Sequence, residues 1–317
     1  MRENPEFSWS VARDDMMNRC PREYYYHYYG SHNGWMDANI NKKTYALKNL
    51  TSLYFEFTDS VKKHMAEFIK EYNITLVKED LARPDLSELV REDLHKVCSE
   101  SATVGDWLNS PKRNKMFIEK YYMGGFKSEL GQIISNSIKK RLDVLNDVYT
   151  TKTFKDIFEG VDKFHEVFEN PFSSDKGKFY SKKHNETIYC NLDLVYKKNG
   201  ITYGVLFNFS NKPDKDSYFI KQAMVGAKYI HKMYKAPFHK IVIRNEFVVM
   251  GFETENTFTS ESFVDDIIDK SIGKMKEYIE GYDTKKNKAV FSEDFKRCVS
   301  KNCTFCHFRE VCANDLK

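Results

Sequence analysis

Four cysteines near the C-terminus have the clearest chemical potential in this chain. They follow the spacing Cys298-x4-Cys303-x2-Cys306-x5-Cys312. A Cys-x2-Cys pair lets two thiolates from one turn reach a single metal centre. Two metal assignments compete: a local zinc site that uses all four thiols, and an iron–sulfur cluster that uses the last three with a remote thiol. All-thiolate ligation suits both metals, so ligand chemistry alone does not choose between them.

Composition limits the class of protein that carries this motif. The chain has 317 residues, of which 41% are hydrophobic and 30% charged, and these values exclude a disordered tail, a collagen-like fibre and a membrane bundle. Seven cysteines without an apolar signal segment indicate reduced thiols in the cytoplasm rather than a disulfide framework. No stretch approaches roughly 18 consecutive apolar residues, so we expect neither a transmembrane helix nor a membrane partner.

The charge balance is mildly basic, with 50 Lys and Arg against 46 Asp and Glu. This balance permits a nucleic-acid partner without requiring one. Three short basic runs stand out: Lys112-Arg113-x-Lys115, Lys139-Lys140-Arg141 and Lys182-Lys183-His184. Aromatic residues make up 15% of the chain. Because aromatic side chains bury large areas, we expect most of them in the core and a minority on a base-stacking surface.

Hydrophobic periodicity predicts a mixed α/β protein with helices before, within and after a run of strands. Helical spacing is found in residues 51–73, 76–98, 126–148, 217–234 and 259–280, and strand patterns in 186–196, 201–209 and 238–253. We expect Asn199-Gly200 to form a hairpin turn between the first two strand segments. Arg244-Asn245 is the expected turn within the third.

A further cysteine lies near the N-terminus, in the segment Cys20-Pro21-Arg22-Glu23-Tyr24. Together with the terminal Cys-x2-Cys-x5-Cys, this opening resembles the iron-staple nucleases, which are PD-(D/E)XK enzymes of the RecB-like type. The segments FSWSVARDDMMNRCPREYYYHYYGSHNGW, LKNLTSLYFEF and CTFCHFREVC carry the resemblance across nearly the whole chain. In that family a 4Fe-4S cluster pins the two chain ends together. The resemblance assigns the cluster ligands to Cys20, Cys303, Cys306 and Cys312, and Cys298 is then surplus.

The resemblance implies a single PD-(D/E)XK (restriction-endonuclease-like) domain over residues 1–317, with a mixed β-sheet. Its mainly helical part covers residues 1–160, its nuclease-like core 161–285, and its Cys-rich tail 286–317. A cross-link between distant parts of a chain removes conformational entropy from the unfolded state, so we expect the cluster to stabilise the fold.

The family's catalytic centre has an Asp on one strand and a D/E-x-K triplet on the next. Such carboxylates hold Mg²⁺ or Mn²⁺, which activates water and stabilises charge on a phosphate. Asp193 matches the first Asp, and would be the metal ligand of an active enzyme, but Asn208 and Ser210 stand where the acid and the Lys belong. Asn is a weaker Mg²⁺ ligand than a carboxylate, and Ser supplies no positive charge.

The helical motifs of the catalytic centre are also altered. Gln222 matches the Gln of the family's Gln-x3-Tyr, but Gly226 replaces the Tyr. Lys63 falls near the place of the family's early His, and His64 lies one residue later. Candidates for migrated catalytic groups are Lys212, Lys221 and Lys228, with Glu186 or Glu169 as a replacement acid.

We expect DNA, as single strands or duplex ends, to be the partner of this chain. Lys182 and Lys183 lie shortly before Asp193 and are the best candidates for phosphate contacts. Tyr25 and Tyr28 are candidates for base stacking. The resemblance and its departures predict an impaired or inactive nuclease that serves DNA processing or defence beside a helicase or nuclease subunit. The alternative is an active metal-dependent DNA exonuclease or endonuclease with migrated catalytic residues. A third hypothesis is a complex subunit without DNA contact.

Overall fold

The computed structural model describes residues 3–36, 41–77, 81–211, 217–260, 262–281, 286–290 and 294–314. This part of the chain is α/β, as the sequence pattern predicts. The helices are α1 (Val11–Arg19), α2 (Pro21–Tyr25), α3 (Lys42–Lys48), α4 (Leu53–Ile74), α5 (Leu86–Ser99), α6 (Val104–Asn109), α7 (Ile118–Tyr122), α8 (Glu129–Asp143), α9 (Lys152–Glu159), α10 (Ser217–Tyr234), α11 (Ser262–Lys276) and α12 (Arg309–Asn314). Among the helices described, none combines the length and apolar character needed to cross a membrane.

The strands are short and lie mostly in the second half of the chain. They are β1 (Trp9–Ser10), β2 (Lys163–Val167), β3 (Lys178–Ser181), β4 (Glu186–Tyr189), β5 (Leu194–Lys198), β6 (Ile201–Asn208), β7 (Ile241–Phe247), β8 (Phe252–Asn256), β9 (Ile279–Glu280) and β10 (Lys288–Ala289). Short 3₁₀ turns span Leu145–Thr150, Phe238–Lys240, Val248–Met250 and Lys301–Phe305, and a π-helical turn spans Tyr26–Gly30.

The chain forms two compact units, each assembled from several segments. Unit 1 comprises Met1–Leu53, Lys96–Ser135 and Ile268–Lys317, and unit 2 comprises Tyr54–His95 and Asn136–Ile267. The predicted helical part is therefore divided, because α4 and α9 group with the sheet in unit 2. The Cys-rich tail groups with the N-terminal segment in unit 1.

A five-stranded mixed sheet forms the centre of unit 2, in the order β2-β5-β6-β7-β8. Strands β6 and β7 pair in parallel, and the other neighbours pair antiparallel. The middle of β6 is the buried run Val205, Leu206 and Phe207, a pattern typical of a strand covered on both faces. Beside this sheet, β3 and β4 form an antiparallel hairpin.

The hairpin turn predicted between β5 and β6 is confirmed. Asn199 and Gly200 have φ angles of 51° and 77°, and a two-residue hairpin turn of this type needs positive φ at both positions. Asn tolerates that conformation, and Gly adopts it without a steric penalty.

The turn predicted at Arg244-Asn245 is wrong, because both residues lie in the middle of β7. The chain turns instead at Gly251, whose φ is 68°. The guanidinium of Arg244 is buried and pairs with Asp156 and Glu255, each at 2.8 Å. Asp156 lies in α9 and Glu255 in β8. The sequence around Arg244 therefore looks polar, although the Arg244 side chain is buried by contacts with other elements.

An aromatic and aliphatic cluster forms the core of unit 1. Its buried members are Tyr26, Ala46, Leu47, Leu50, Trp107, Met116 and Phe308. The ring of Phe308, next to α12, packs against Tyr26 with 5.6 Å between ring centroids. Cys306 and Cys312 lie against this cluster. The tail of the chain therefore contributes to the same core as the helices that follow Cys20.

Gly204 lies in β6 where an added methyl group would meet three side chains. A Cβ there would lie 2.8 Å from the Cδ1 atoms of Ile230 and Ile243, and 2.9 Å from Cδ1 of Leu192. We expect Gly204→Ala to lower the free energy of unfolding by about 1–3 kcal/mol, because overpacking displaces its neighbours. Urea denaturation measures this change. In the control Gly273→Ala in α11, no atom lies within 4 Å of the new Cβ, and helix propensity should raise stability by about 1 kcal/mol. Equal effects of the two substitutions would contradict the close packing at Gly204.

Candidate functional site

A cleft in unit 2 brings together three of the residues that the resemblance assigns to a nuclease-like centre. Asp193 directly precedes β5, Asn208 ends β6, and Gln222 lies on α10. The cleft has a volume of about 250 Å³ and is lined by Tyr54, Thr58, Lys62, Asn191, Asp193, Leu206, Phe207, Asn208, Phe209, Tyr218, Phe219 and Gln222.

Asp193 is buried, and both oxygens of its carboxylate are engaged. Oδ1 accepts a hydrogen bond from Nζ of Lys62 at 2.6 Å, and Oδ2 accepts one from the backbone N–H of Phe207 at 2.8 Å. The side chain of Asp193 is 8% exposed and that of Lys62 33% exposed. A cation from within the chain therefore pairs with the acid in the cleft.

Sequence reasoning missed Lys62, although its spacing contains a signal. Tyr54, Thr58 and Lys62 recur every four residues on α4, and this spacing places them on one face of the helix. All three line the cleft. The sequence prediction was based on the position of the family's His, and it therefore selected Lys63 and His64 instead of Lys62.

Lys63 and His64 do not line the cleft as the structure describes it. Both contact Asp93 on α5: Nε2 of His64 lies 3.0 Å from Oδ2 of Asp93, and Nζ of Lys63 lies 3.5 Å from the same atom. Ser60 donates a further hydrogen bond to Asp93 at 2.7 Å. Adjacent helical residues point about 100° apart, so a shift of one position separates Lys62 at the cleft from its neighbours at α5.

Asn208 and Ser210 form a local turn rather than a pair of catalytic groups. Oδ1 of Asn208 accepts a hydrogen bond from the backbone N–H of Ser210 at 2.7 Å. Asn208 lines the cleft, whereas Ser210 is not among the described lining residues. The side-chain oxygen that corresponds to the family's second acid is thus both uncharged and already engaged.

Gly226, in the place of the family's Tyr, lies at the contact between α10 and the sheet. A Cβ at this position would lie 3.1 Å from Cδ2 of Leu192 and 3.4 Å from Cδ1 of Ile243, so a tyrosine would collide with the sheet. The phenol partner of Gln222 comes from the preceding helical turn instead. Nε2 of Gln222 donates to the hydroxyl of Tyr218 at 3.2 Å.

Arg141 contacts two residues that line the cleft, Phe209 and Tyr54, although its sequence suggests a solvated basic run. The side chain is buried, and its Nε donates to the backbone carbonyl of Phe209 at 2.8 Å. Its guanidinium lies 5.2 Å from the centre of the Tyr54 ring. Arg141 therefore fixes the end of the strand segment that carries Asn208.

The described candidates for migrated catalytic groups do not line the cleft. Lys228 is buried and pairs with Asp265, and Glu169 pairs with Lys176 at 3.5 Å. Glu186 is buried in β4, and Lys221 does not line the cleft as described. Lys212 lies outside the described residues. Lys62 is thus the one lysine among the described residues that line the cleft.

Five of the seven cysteines line a second cavity, in unit 1. They are Cys20, Cys298, Cys303, Cys306 and Cys312, around a volume of about 180 Å³. Cys20 caps the N-terminus of α2, and the backbone N–H of Arg22 donates to the carbonyl of Lys296 at 3.2 Å. The thiol of Cys20 and the thiols of the C-terminal cysteines therefore line the same cavity.

The donor groups of this cavity are thiols, which suit either a zinc ion or an iron–sulfur cluster. In the described part of the chain, no set of three or more His, Cys, Asp or Glu side chains is placed to hold one metal ion. Tetrahedral zinc needs its sulfurs about 2.3 Å from one ion and hence close together. An iron–sulfur cluster binds each thiolate to a different iron atom, so its thiolates stand around a cavity. Cys298 is exposed, whereas Cys20, Cys303, Cys306 and Cys312 are half-buried. The half-buried thiols supply the four thiolate ligands that a 4Fe-4S cluster takes.

The tyrosine run after Cys20 packs mainly into unit 1. Tyr24 is 1% exposed and Tyr26 is 7% exposed, and burial raises the pKa of Tyr24 to about 12. Tyr25, a candidate for base stacking, is half-buried with its ring 5.1 Å from Phe295. Tyr28, the other candidate, is also half-buried and lies beneath the guanidinium of Arg13 at 4.1 Å. Their predicted role in base stacking stays a prediction.

Lys182 and Lys183 lie on the exposed turn between β3 and β4 in unit 2. Their predicted role in phosphate binding stays a prediction, since the turn is accessible but has no feature that selects a ligand.

Comparisons with known proteins leave this chain without an assigned family. No protein-family model matches it, and no curated protein matches it significantly. The resemblance to iron-staple nucleases thus rests on the sequence motifs alone.

Lys62→Met leaves the buried carboxylate of Asp193 without its cation. We expect the free energy of unfolding to fall by about 1–3 kcal/mol, because a buried charge that loses its partner is poorly solvated. Urea denaturation of Lys62→Met, Asp193→Asn and the double variant measures the coupling between the two residues. Asp193→Asn should cost less in the Lys62→Met background than alone, and strictly additive costs would argue against a direct pair. In the control Lys63→Met, the exposed contact with Asp93 should contribute less than about 1 kcal/mol.

Proposed function

We propose that this protein is a DNA-binding iron–sulfur protein with a RecB-like PD-(D/E)XK nuclease-like fold whose nuclease centre no longer cleaves. The observation that carries the proposal is the state of Asp193. Its two oxygens are taken by Lys62 and by the backbone N–H of Phe207, and the neighbouring strand offers Asn208 in place of an acid.

Electrostatics explains why this centre is a poor site for Mg²⁺ or Mn²⁺. These ions prefer carboxylate oxygens, and Asp193 is the one carboxylate among the described residues that line the cleft. The ammonium of Lys62 already stands 2.6 Å from that carboxylate. A divalent cation in the same place would be repelled by the ammonium and would have to displace it.

The architecture of unit 2 supports the fold assignment. An antiparallel pair, β5 and β6, carries the first Asp position and the degraded triplet. Strand β7 then pairs parallel to β6 after the crossover helix α10, which carries Gln222. The hairpin followed by a helix that carries Gln222 is the order of motifs that the resemblance implies.

The proposed 4Fe-4S ligands are Cys20, Cys303, Cys306 and Cys312. When bound, the cluster would supply a cross-link between the start of α2 and the tail, and this link restricts the unfolded chain more than the folded one. Arg297 supports the same region, because its guanidinium donates to the carbonyl of Cys312 at 2.9 Å. The role of the cluster in this proposal is structural.

A second candidate function is an active nuclease in which Lys62 is the migrated catalytic lysine. The observation that favours it is the same contact with Asp193, because a lysine beside the first Asp is what the lost D/E-x-K triplet would have provided. Mg²⁺ sites with one or two carboxylates complete their coordination with substrate phosphates. A centre of this kind would need DNA to assemble.

Cleavage assays separate the two candidates. We expect cluster-intact protein to bind labelled single- and double-stranded DNA and to leave both uncut in Mg²⁺ or Mn²⁺, because a single neutralised carboxylate does not hold the metal. Asp193→Ala and Lys62→Met serve as matched variants. Cleavage that disappears in both would overturn the inactive-nuclease proposal and establish the second candidate. Cleavage that persists in both would point to a contaminating nuclease.

The cluster assignment is tested by metal content. Anaerobically purified protein should be brown and contain about four iron atoms per chain. Cys312→Ala should lose the colour, whereas Cys298→Ala should keep it, because Cys298 is the exposed thiol outside the proposed ligand set. A colourless protein that carries one zinc ion and loses it in Cys298→Ala would establish the local zinc site instead.

A further inference from the structure

We propose that a cleft around Trp35 in unit 1 binds one nucleotide of a single-stranded nucleic acid, with the base on the indole and the phosphates on Lys112 and Arg113. The inference rests on the proposed nucleic-acid function, and it specifies a single strand as the ligand and the cleft around Trp35 as its site. The sequence motifs assign no role to Trp35, and they leave Lys112-Arg113 as a short basic run.

Trp35 differs from the other tryptophans of the chain in its exposure. Trp9 and Trp107 are fully buried, whereas Trp35 is 52% exposed. T-shaped contacts with His32 and Tyr45, at 6.0 and 5.8 Å between ring centroids, hold the indole. A large aromatic surface left in water is unfavourable, and a nucleobase can cover it by stacking.

The turn that presents Trp35 is held by a backbone hydrogen bond and by close packing at Gly34. Asn33 adopts a φ of 57°, and the backbone N–H of Met36 donates to the carbonyl of Asn33 at 3.2 Å. Gly34 fills a position that excludes any side chain, because a Cβ there would lie 2.3 Å from Cβ of Tyr45. A ring held in this way loses little conformational entropy when a ligand binds.

Positive charge surrounds the indole. The described residues that line the cleft include three cations, Lys42, Lys112 and Arg113, and no carboxylate. Lys112 and Arg113 are exposed, and Nζ of Lys42 lies 3.4 Å from Oδ1 of Asn109 across the cleft. The volume of about 350 Å³ falls at the lower end of the ~300–1,000 Å³ of small-ligand sites, which suits one nucleotide.

The cationic character continues beyond the cleft. Burial and the neighbouring charges of Arg13 and Lys112 lower the pKa of Lys48 to about 8. Arg13 and Lys48 both lie over the ring of Tyr28, at 4.1 and 5.6 Å from its centre. Cations crowded together in this way favour an anionic ligand, and successive phosphates of one strand supply several negative charges along such a surface.

The combination of an exposed ring and cations favours a single strand over other anionic partners. Bases in a duplex are stacked and paired, so their faces are unavailable to the indole without unstacking. An acidic peptide would engage the cations but would leave the aromatic surface uncovered. A single strand satisfies both features at once.

Tryptophan fluorescence and anisotropy test the site directly. With the other two tryptophans buried, a short oligothymidylate should quench the emission of Trp35, and Trp35→Ala should weaken its binding by roughly tenfold or more. Lys112→Gln with Arg113→Gln should reduce the slope of log K against log salt by about 0.7 per residue. The matched controls are the exposed Phe172→Ala and the exposed pair Lys139→Gln with Lys140→Gln, which should bind as the wild type does.

The outcomes separate this site from the proposed function. If the wild type binds oligothymidylate and the variants of Trp35, Lys112 and Arg113 bind equally well, the site is wrong while the DNA-binding function stands. If the wild type binds no DNA, both proposals fail. Thymidine monophosphate, a blunt duplex or polyglutamate that quenches Trp35 as effectively as the oligonucleotide would overturn the assignment to a single strand.

Discussion

The ion pair between Lys62 and Asp193 decides what the cleft of unit 2 can do. It joins helix α4 to the start of β5 and satisfies a buried carboxylate that would otherwise be costly to keep ionised. The same contact occupies the oxygen that a divalent metal would need. The carboxylate of Asp193 is therefore held on both oxygens by contacts from within the chain. The side-chain oxygen of Asn208 is likewise engaged, because it accepts a hydrogen bond from the backbone N–H of Ser210.

Unit 1 brings together segments that are far apart in the sequence. Aromatic packing between Tyr26 and Phe308 and a backbone hydrogen bond from Arg22 to Lys296 already bring them into contact. The cysteines line the remaining cavity, and a cluster there would replace a weakly packed space with covalent bonds. The cleft around Trp35 lies in the same unit, where an exposed indole and several cations produce a surface that differs from the largely buried tyrosine run beside Cys20.

The sequence predicted much of the secondary structure for simple reasons. Long amphipathic segments such as α4 and α10 showed a clear 3.6-residue period, and Asn199-Gly200 left few alternatives to a hairpin turn. Prediction failed at Arg244, because a buried polar residue depends on acids from other elements to remain inside. It also chose Lys63 and His64 over Lys62, since counting from a family motif does not resolve which helical face meets the sheet.

The sequence by itself determined the thiol inventory, the presence of the uncharged residues Asn208 and Ser210 after the buried strand segment, and the α/β class. These properties depend on residue types and local spacing, which need no three-dimensional information. Only the tertiary structure decided that Lys62 neutralises Asp193, that Cys20 shares a cavity with the tail, and that Trp35 remains exposed beside three cations. Each of these depends on contacts between residues far apart in the chain, and such contacts follow from packing rather than from the local pattern of the sequence.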